Sequence, residues 1–492
     1  MLSKAEIRNL HWKAAERLRG SVDAMEYKEY ILGLIFLKFA SDAFEENRSQ
    51  LRARLVTEGF DVDHLDEVLE DREFTDAQII WVPRSARWAS VAAEADSPGL
   101  GEHIDRAMGS IMQANPALKG ALPTVFREGS VDPRRLAGVV TIVGSMGVER
   151  SRDGSVRDGL AELYAYFLDN FARAEGRRGG EFHTPRSVGR LMVEMLQPYG
   201  GRVYDPACGS GGLLVEAGAF MAAQGEDPGG MKIYGQEINR HTWRLARMNL
   251  AVHGFMNGTD IRRGDTLADD GHPDLKADFV LAQPPFGLAG RSPREDDPRW
   301  AYGVPGAGTH DAWLQHAISK LGERGTACLV LPNGSLSSSG AGRIRRALVE
   351  ADLVASVVTL PGQLFRSTLI PVCLWTLVKE KPEHRRGQIL LVDARDTGMM
   401  VDRTERVLGE EDVAKIAGTY HAWRGAGSAR QPLRTYRDDP GFCVSADLGK
   451  VREQAYALTP GRYVDAAPPV DRPAVPGAGA GALTKDLYGV FT

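Results

Sequence analysis

The segment that most constrains the fold of this chain is VYDPACGSGG, residues 203–212. A short apolar run leads into Asp205, a glycine-rich turn follows it, and an apolar helical pattern begins at residue 213. The glycines would let the backbone adopt positive φ and approach a ligand closely, and the first amides of the helix would face that ligand. The spacing is neither G-x-G-x-x-G nor a Walker motif. We therefore interpret the segment as a ligand-binding loop at the carboxyl end of a strand.

Strand and helix patterns alternate from about residue 200 onward. This alternation predicts an α/β fold with a mainly parallel sheet covered on both faces. The last two predicted strands are joined by a polar turn, and they are compatible with a hairpin at one edge of the sheet. The predicted strands are 202–205, 232–236, 279–282, 327–332, 354–360, 372–378 and 389–392, and the predicted helices are 213–223, 240–252, 311–321 and 342–350.

The preceding part of the chain shows no such alternation. Apolar residues recur there at helical spacing, for example at positions 27, 31, 34, 35 and 39, and Asp132-Pro133 is typical of a helix start. A chain of 492 residues is expected to form two or three domains. We predict an α-helical domain over residues 1–155, a catalytic domain over 156–440 and a partner-docking tail over 441–492, with a low-complexity linker at about 467–482.

Charge and cysteine usage restrict the function only weakly. The net charge of −5 is too small to favour or exclude a nucleic-acid partner, so DNA affinity would have to come from local basic surface. Arg343, Arg345 and Arg346 form one basic cluster, which by itself is typical of a solvated helix face. The four cysteines are widely spaced, as free thiols in a reducing compartment would be. With no signal-peptide pattern, we expect a cytoplasmic protein.

Two acidic residues follow the glycine-rich segment at the ends of later predicted strands. Glu237 could accept hydrogen bonds from both hydroxyls of a ribose, as acidic residues do in dinucleotide-binding folds. Taken alone it would be a surface glutamate that caps the next helix, but beside the glycine turn the ribose interpretation is the better one. Asp265 could pair with the exocyclic amine of an adenine, although an ordinary turn aspartate fits this position almost equally well.

The segment LAQPPFG, residues 281–287, is a candidate pocket for a flat, nitrogen-bearing substrate. Pro284 and Pro285 fix the backbone and remove two N–H groups, so nearby carbonyls are held as acceptors. The amide of Gln283 and a carbonyl could grip an amino group while Phe286 stacks on the base, as expected for an extruded adenine. A proline-rich turn after a core strand is the alternative. Upstream, GEFHTPR places Thr184 as a helix N-cap and Pro185 at the first helical position.

In this order, these segments resemble the amino-adenine DNA methyltransferases, and more narrowly the modification subunit of type I restriction–modification systems. EFHTP, DPACGSGG, QEIN and the PPF segment are similar to that family's catalytic core. The helical start, from NLHWKAAERLRG to FASDAFEE, is similar to its N-terminal domain, and LPGQLFRSTLIPVCLWTLVK and LTPGRYV are similar to its later segments. The combination is specific, whereas no single piece is.

The resemblance implies a Rossmann-like core that uses S-adenosylmethionine to methylate N6 of a flipped adenine, without a metal or a covalent nucleophile. It implies two copies of the chain with one specificity subunit on duplex DNA, joined by a restriction or other effector subunit. The catalytic residues would be Gln283, Pro284, Pro285 and Phe286. The cofactor would be bound by Glu181, Phe182, His183, Thr184, Pro185, Arg186, Asp205, Ala207, Gly209, Ser210, Gly211, Gly212, Glu237 and Asp265.

Gln283 departs from the family pattern, which has asparagine at this position. The extra methylene moves the amide by roughly 1–1.5 Å, and a misplacement on the order of 1 Å can cost about a hundredfold in rate. Two alternatives to an active adenine methyltransferase therefore stay open. One is a scaffold subunit of a defence complex that binds cofactor and DNA but methylates weakly or not at all. The other is a methyltransferase that acts on the amide of a protein glutamine.

Overall fold

The structure is a computed structural model. It describes residues 17–18, 26–61, 64–71, 79–127, 131–146, 161, 164–168, 184–286, 294–306, 310–340, 342–365, 370–425 and 435–464. Within these residues the helices are α1 (Glu26–Thr57), α2 (Leu65–Val68), α3 (Trp88–Ala93), α4 (Leu100–Ala114), α5 (Pro133–Gly144), α6 (Arg186–Leu196), α7 (Gly212–Ala223), α8 (Arg240–Val252), α9 (His310–Lys320), α10 (Gly342–Glu350), α11 (Glu410–Arg424) and α12 (Leu448–Glu453).

The strands of the described residues form one large sheet and one small ribbon. Nine strands lie in the order β11-β8-β6-β7-β5-β4-β1-β2-β3, and β9 pairs with β10 separately. Most neighbours in the large sheet are parallel, which confirms the predicted α/β class. The strands are β1 (Gly201–Asp205), β2 (Met231–Glu237), β3 (Thr259–Arg263), β4 (Ala277–Ala282), β5 (Leu321–Pro332), β6 (Val354–Thr359), β7 (Val372–Val378), β8 (Gln388–Asp393), β9 (Met399–Met400), β10 (Arg406–Val407) and β11 (Cys443–Asp447).

The strand order reverses between β1 and β4. The chain runs from β1 outward through β2 and β3, then returns to place β4 on the other side of β1. The two strands are parallel neighbours, with Val203 opposite Phe279 and Tyr204 opposite Val280. Their carboxyl ends therefore lie side by side at a topological switch point, which is where open α/β sheets bind ligands.

The predicted hairpin between β7 and β8 is wrong. Strand β7 pairs antiparallel with both β5 and β6, whereas β8 pairs with β6 and β11. Strand β7 is buried along its whole length, because it is an interior strand with neighbours on both sides. A polar connection between two strands fixes where the chain turns, but it does not fix which strands become neighbours.

The N-terminal helices pack around their own core, which also includes part of the sheet domain. Helix α1 contributes a run of fully buried apolar residues, and α3, α4 and α5 pack against it. The predicted start of α5 is confirmed, because Asp132 caps the helix by accepting a hydrogen bond from the amide of Arg134. The same core contains Met248 and Val252 of α8, a helix that also packs on the sheet.

Two expected domain boundaries differ from the packing. Tyr164 and Phe167 are buried in the N-terminal helical core, so that core continues past residue 155. Strand β11 pairs with β8, so the sheet extends beyond residue 440. Arg345 is also not part of a solvated face. It is buried and donates to the carbonyls of Ser335 and Ser338, as well as to a carbonyl in the segment after α12.

No helix within the described residues combines the length and apolarity needed to cross a bilayer. All four cysteines are buried free thiols, as their spacing predicted.

Candidate functional site

The turn after β1, residues 205–212, is called the glycine turn here, and backbone hydrogen bonds hold it in place. Gly209 and Gly211 have φ values of +54° and +80°, a region in which a side chain would be strained. The amide of Cys208 donates to the carbonyl of Gln236 at the end of β2, over 3.0 Å. The turn is thereby attached to the neighbouring strand, and helix α7 begins at Gly212 with no side-chain cap. Its first amides are left available to a ligand.

Asp205 is the acidic residue of this turn, and it is buried, with 1% of its surface exposed. Burial raises the pKa of its carboxyl to about 8, and the nearby charge of Glu237 adds to the shift. The amide of Ala207 donates to Oδ1 over 3.0 Å, which favours the ionised form but does not outweigh burial. None of the ion pairs among the described residues includes Asp205, so its environment favours the arrival of a cation.

Glu237 connects the ends of two strands. Its Oε2 accepts a hydrogen bond from the amide of Gly209 over 3.0 Å, and its Oε1 accepts one from the amide of Asn239 over 2.7 Å. The side chain is 9% exposed, so it is not the surface residue of the alternative interpretation. Helix α8, which follows, is capped instead by Asn239, whose Oδ1 accepts from the amides of His241 and Thr242.

The turn after β4, residues 283–286, is called the double-proline turn here, and its polar groups are already engaged. The side chain of Gln283 is buried, and its Nε2 donates to the carbonyl of Pro284 over 3.3 Å. Its Oε1 accepts a hydrogen bond from the hydroxyl of Thr184 over 3.2 Å. The half-buried ring of Phe286 meets Phe365 edge to face, with ring centroids 6.1 Å apart.

The predicted N-cap role of Thr184 is wrong. Helix α6 begins at Arg186 with Pro185 at the N-cap position, and no side chain caps it. The hydroxyl of Thr184 donates to Gln283 instead, because the segment before α6 crosses the end of β4. Glu181, Phe182 and His183 lie outside the described residues.

The glycine turn and Gln283 of the double-proline turn line one cleft, called the switch-point cleft here, with a volume of about 130 Å³. The predicted residues Gly211, Pro284, Pro285 and Phe286 do not line it. The cleft brings together the predicted residues Thr184, Pro185, Arg186, Asp205, Ala207, Gly209, Ser210, Gly212 and Gln283. Arg186 is largely exposed at its rim and pairs with Glu216 over 3.2 Å. The wall of the cleft also includes Ala165 and Leu168, so the helical region takes part in it.

Asp265 does not line the switch-point cleft. It is exposed, and its Oδ1 accepts hydrogen bonds from the amides of Leu267 and Ala268 in its own turn, over 3.1 and 3.4 Å. The local geometry is that of a turn aspartate. Glu237 is likewise absent from the residues that line the cleft, although it holds Gly209, which does line it.

Among the lining residues that were not predicted from the sequence, Glu216, Asn249 and His253 have polar side chains. Asn249 is 4% exposed on α8, and its Nδ2 donates to the carbonyl of Ser210 over 2.9 Å. The available signal was a polar residue inside the otherwise apolar stretch MNLAV, because buried asparagines are uncommon. No group of histidine, cysteine and acidic side chains within the described residues could hold a metal ion.

Two family models match this chain. The family model described as N-6 DNA Methylase matches residues 155–471, and the one described as HsdM N-terminal domain matches residues 7–143. The chain is 40% identical over 409 residues to the type I restriction enzyme HindI methylase subunit of Haemophilus influenzae, covering 78% of this chain and 90% of that protein.

Two further proteins extend the similarity over nearly the whole chain. The type I restriction enzyme MjaIX methylase subunit of Methanocaldococcus jannaschii is 32% identical over 476 residues, covering 93% of this chain and 84% of that protein. The crystal structure of a type I restriction-modification system methyltransferase subunit from Streptococcus thermophilus superimposes with a TM-score of 0.75 at 24% identity, covering 94% of this chain and 99% of that one. The fold is therefore shared with that subunit.

Proposed function

Because the chain belongs to the N-6 DNA methylase family, as a type I restriction–modification methylase subunit and N6-adenine DNA methyltransferase, we propose that S-adenosylmethionine is its methyl donor. The observation that carries this proposal is that the glycine turn and Gln283 follow adjacent parallel strands and line one cleft. The glycine turn suits a cofactor and the double-proline turn suits a base, so the two ligands would meet at the switch point.

The residues of the switch-point cleft fit this cofactor. S-adenosylmethionine carries a sulfonium and an α-ammonium, and the buried carboxyl of Asp205 has no ion-pair partner among the described residues. The uncapped amides at the start of α7 suit the cofactor's carboxylate. We propose that the cofactor is held by Thr184, Pro185, Arg186, Asp205, Ala207, Gly209, Ser210, Gly211 and Gly212, with Glu237 and Asp265 toward its ribose and adenine and Glu181, Phe182 and His183 closing over it.

The double-proline turn would hold the methyl acceptor. Bound cofactor supplies an electrophilic methyl group on sulfur, and the chain's task is to position an adenine amine in line with it. The Oε1 atom of Gln283 and the carbonyl of Pro284 would accept hydrogen bonds from the two N–H groups of that amine. Pro285 would keep the turn rigid, and Phe286 would stack on the extruded base.

The partners and domain roles follow from the family. We propose that two copies of the chain act with one specificity subunit on duplex DNA, and that a restriction subunit joins them. A methyltransferase domain that includes β11 and a helical N-terminal domain would form the body of the subunit. Residues beyond 464, outside the described part of the chain, would serve partner docking.

A methyl-transfer assay tests the proposed activity. The chain is purified with its specificity subunit and incubated with labelled S-adenosylmethionine and unmethylated DNA amplified in vitro from the host genome, and the modified bases are then identified. We expect label in N6-methyladenine at one recurring sequence. Label in protein, with DNA unmodified, would contradict the proposal and favour a protein glutamine methyltransferase.

Gln283 favours a second candidate function, that of a cofactor-binding scaffold with weak or absent methylation. In the described structure, both ends of its amide bond to other groups of the chain. The oxygens of Gln283 and Pro284 that would accept from the adenine thus each already accept one hydrogen bond from the chain, and the adenine amine would have to share or displace it. Cofactor binding in a complex that transfers no methyl group to DNA would support this candidate.

A further inference from the structure

Asn249 carries a buried polar atom that the described structure leaves unpaired. The residue lies on α8 and lines the switch-point cleft, with 4% of its surface exposed. Its Oδ1 atom has no hydrogen-bond partner among the described residues. Buried polar groups are nearly always paired, so an orphaned acceptor at the wall of a cleft indicates a missing donor.

The orientation of this amide follows from its other contact. The carbonyl of Ser210 lies 2.9 Å from the amide of Asn249, and a carbonyl can only accept a hydrogen bond. The nitrogen must therefore face Ser210, which leaves the oxygen on the remaining side. Asn249 thus stabilises the glycine turn with one end of its amide and presents an acceptor with the other.

We propose that Oδ1 of Asn249 accepts a hydrogen bond from the α-ammonium group of S-adenosylmethionine, an inference that rests on the function proposed above. The cofactor has three kinds of donor: the ammonium, the ribose hydroxyls and the adenine amine. Glu237 and Asp265, the candidates for ribose and adenine, do not line the switch-point cleft. Two carboxyls line the cleft with Asn249: Glu216 pairs with Arg186, whereas Asp205 has no ion-pair partner among the described residues, so the cationic donor is favoured beside Asp205.

Helix α8 holds this acceptor rigidly. Met248 and Val252, the neighbours of Asn249 on the helix, are buried in the N-terminal helical core. Ala246 contacts the other side of the turn, because a Cβ atom on Gly211 would lie 3.5 Å from its carbonyl oxygen. The acceptor is therefore positioned before the cofactor arrives, and little ordering is needed on binding.

A double-mutant cycle between protein and ligand tests the contact. Isothermal titration calorimetry is performed with S-adenosylhomocysteine and with an analogue in which hydrogen replaces the α-amino group. Both ligands are titrated into the full chain, the Asn249→Ala variant and the control Arg240→Ala, which removes an exposed side chain from the same helix. A direct contact makes the two deletions non-additive, whereas damage to the turn that weakens both ligands equally leaves them additive.

We expect loss of the amino group to weaken binding to the wild-type chain and to Arg240→Ala by about tenfold or more. In Asn249→Ala the same loss should cost at least about threefold less than in the wild-type chain, because one acceptor of the ammonium is already gone. An equal cost in all three proteins would overturn the contact, and it would leave the cofactor proposal intact. If Asn249→Ala does not fold, equal affinity of the wild-type chain for both ligands overturns it. Failure of the wild-type chain to bind either ligand overturns the proposed function itself.

Discussion

The glycine turn and the double-proline turn occupy matching places at the ends of β1 and β4, but their hydrogen bonds are used differently. Groups of the neighbouring strand and helix hold the glycine turn, namely the carbonyl of Gln236, the carboxyl of Glu237 and the amide of Asn249. In the double-proline turn, the side chain proposed to bind the substrate makes these hydrogen bonds itself, since Gln283 bonds to Pro284 and to Thr184. The cofactor loop can thus be held ready for binding while the groups expected to bind the base are hydrogen-bonded within the chain.

The largest effect should come from shortening the side chain at position 283. We predict that Gln283→Asn raises the single-turnover rate of methyl transfer to DNA by roughly a hundredfold, because the shorter amide releases the Pro284 carbonyl. Affinity for S-adenosylhomocysteine should stay within about twofold, since the hydrogen bonds of the Gln283 side chain among the described residues go to Thr184 and Pro284 and not to the glycine turn. The rate is measured with labelled cofactor in the complete complex.

The control for this change is Gln224→Asn, the same substitution at the end of α7 outside the cleft. A rate for Gln283→Asn equal to or below that of the wild type would mean that the glutamine is no obstacle. The double-proline turn would then be as ready to bind a base as the glycine turn is to bind the cofactor.

The next largest effect should come from Gly211→Ala. Its φ of +80° costs an alanine about 1–2 kcal/mol, and strain in the glycine turn should weaken S-adenosylhomocysteine binding about tenfold, at roughly 1.4 kcal/mol per factor of ten. The matched control is Gly225→Ala, which has the same φ of +80° at the far end of α7 and nothing within 4 Å of its added Cβ.

Calorimetry and thermal unfolding distinguish the two variants. Both alanines should lower the melting temperature by a similar amount, but only Gly211→Ala should change cofactor affinity. Equal affinity in the two variants would show that the conformation of the glycine turn does not matter for binding.

A smaller effect should appear in the pH dependence of stability. Burial raises the pKa of Asp205 to about 8 from its ordinary value of 3.8, so between these pH values the folded chain holds a proton that the unfolded chain has released. The contribution of this carboxyl to the free energy of unfolding is therefore largest below about pH 4, falls as the pH rises toward 8, and is lost above that pH.

The Asp205→Asn variant isolates this contribution. Its free energy of unfolding relative to the wild type should increase steadily from about pH 5 to about pH 8 and then level off. Other titrating groups cancel in this difference because both proteins contain them. Denaturant unfolding at constant ionic strength measures it, and a difference independent of pH would mean that the Asp205 carboxyl is ionised in the folded chain.

The smallest effect should come from Asp265→Ala. The carboxyl is exposed and caps its own turn, so a contact with the cofactor's adenine would be screened by water. We predict a two- to threefold loss of affinity for S-adenosylhomocysteine, which is of the order of one weak hydrogen bond. A loss of affinity as large as that expected for Gly211→Ala would show that the cofactor site extends well beyond the switch-point cleft.

The sequence predicted those features that depend on local signals. The bounds of α8, α10 and β7 coincide with the predicted ranges, because each combines a clear apolar period with a cap, a glycine or a turn. The order of the motifs predicted that two turns share one cleft, and the reversal between β1 and β4 is the physical reason.

Features that depend on distant parts of the chain escaped prediction. The neighbours of β7 and β8 are set by sheet assembly, and β11 is a five-residue edge strand that follows a long connection. Thr184 looked like a helix cap because its nearest neighbours are helical, but its hydroxyl bonds to a residue 99 positions away. Asn249 looked like an ordinary helical residue for the same reason.

Helix α8 belongs to two hydrophobic cores at once, and this limits how the protein can be divided or recombined. Met248 and Val252 fill the core of the N-terminal helices, while Ala246 and Leu250 fill that of the sheet. A chimera that exchanged only the N-terminal helices with those of a relative would set a foreign surface against this helix. Successful grafts should therefore carry α8 along with the helices it supports, even though the chain places it between β2 and β3.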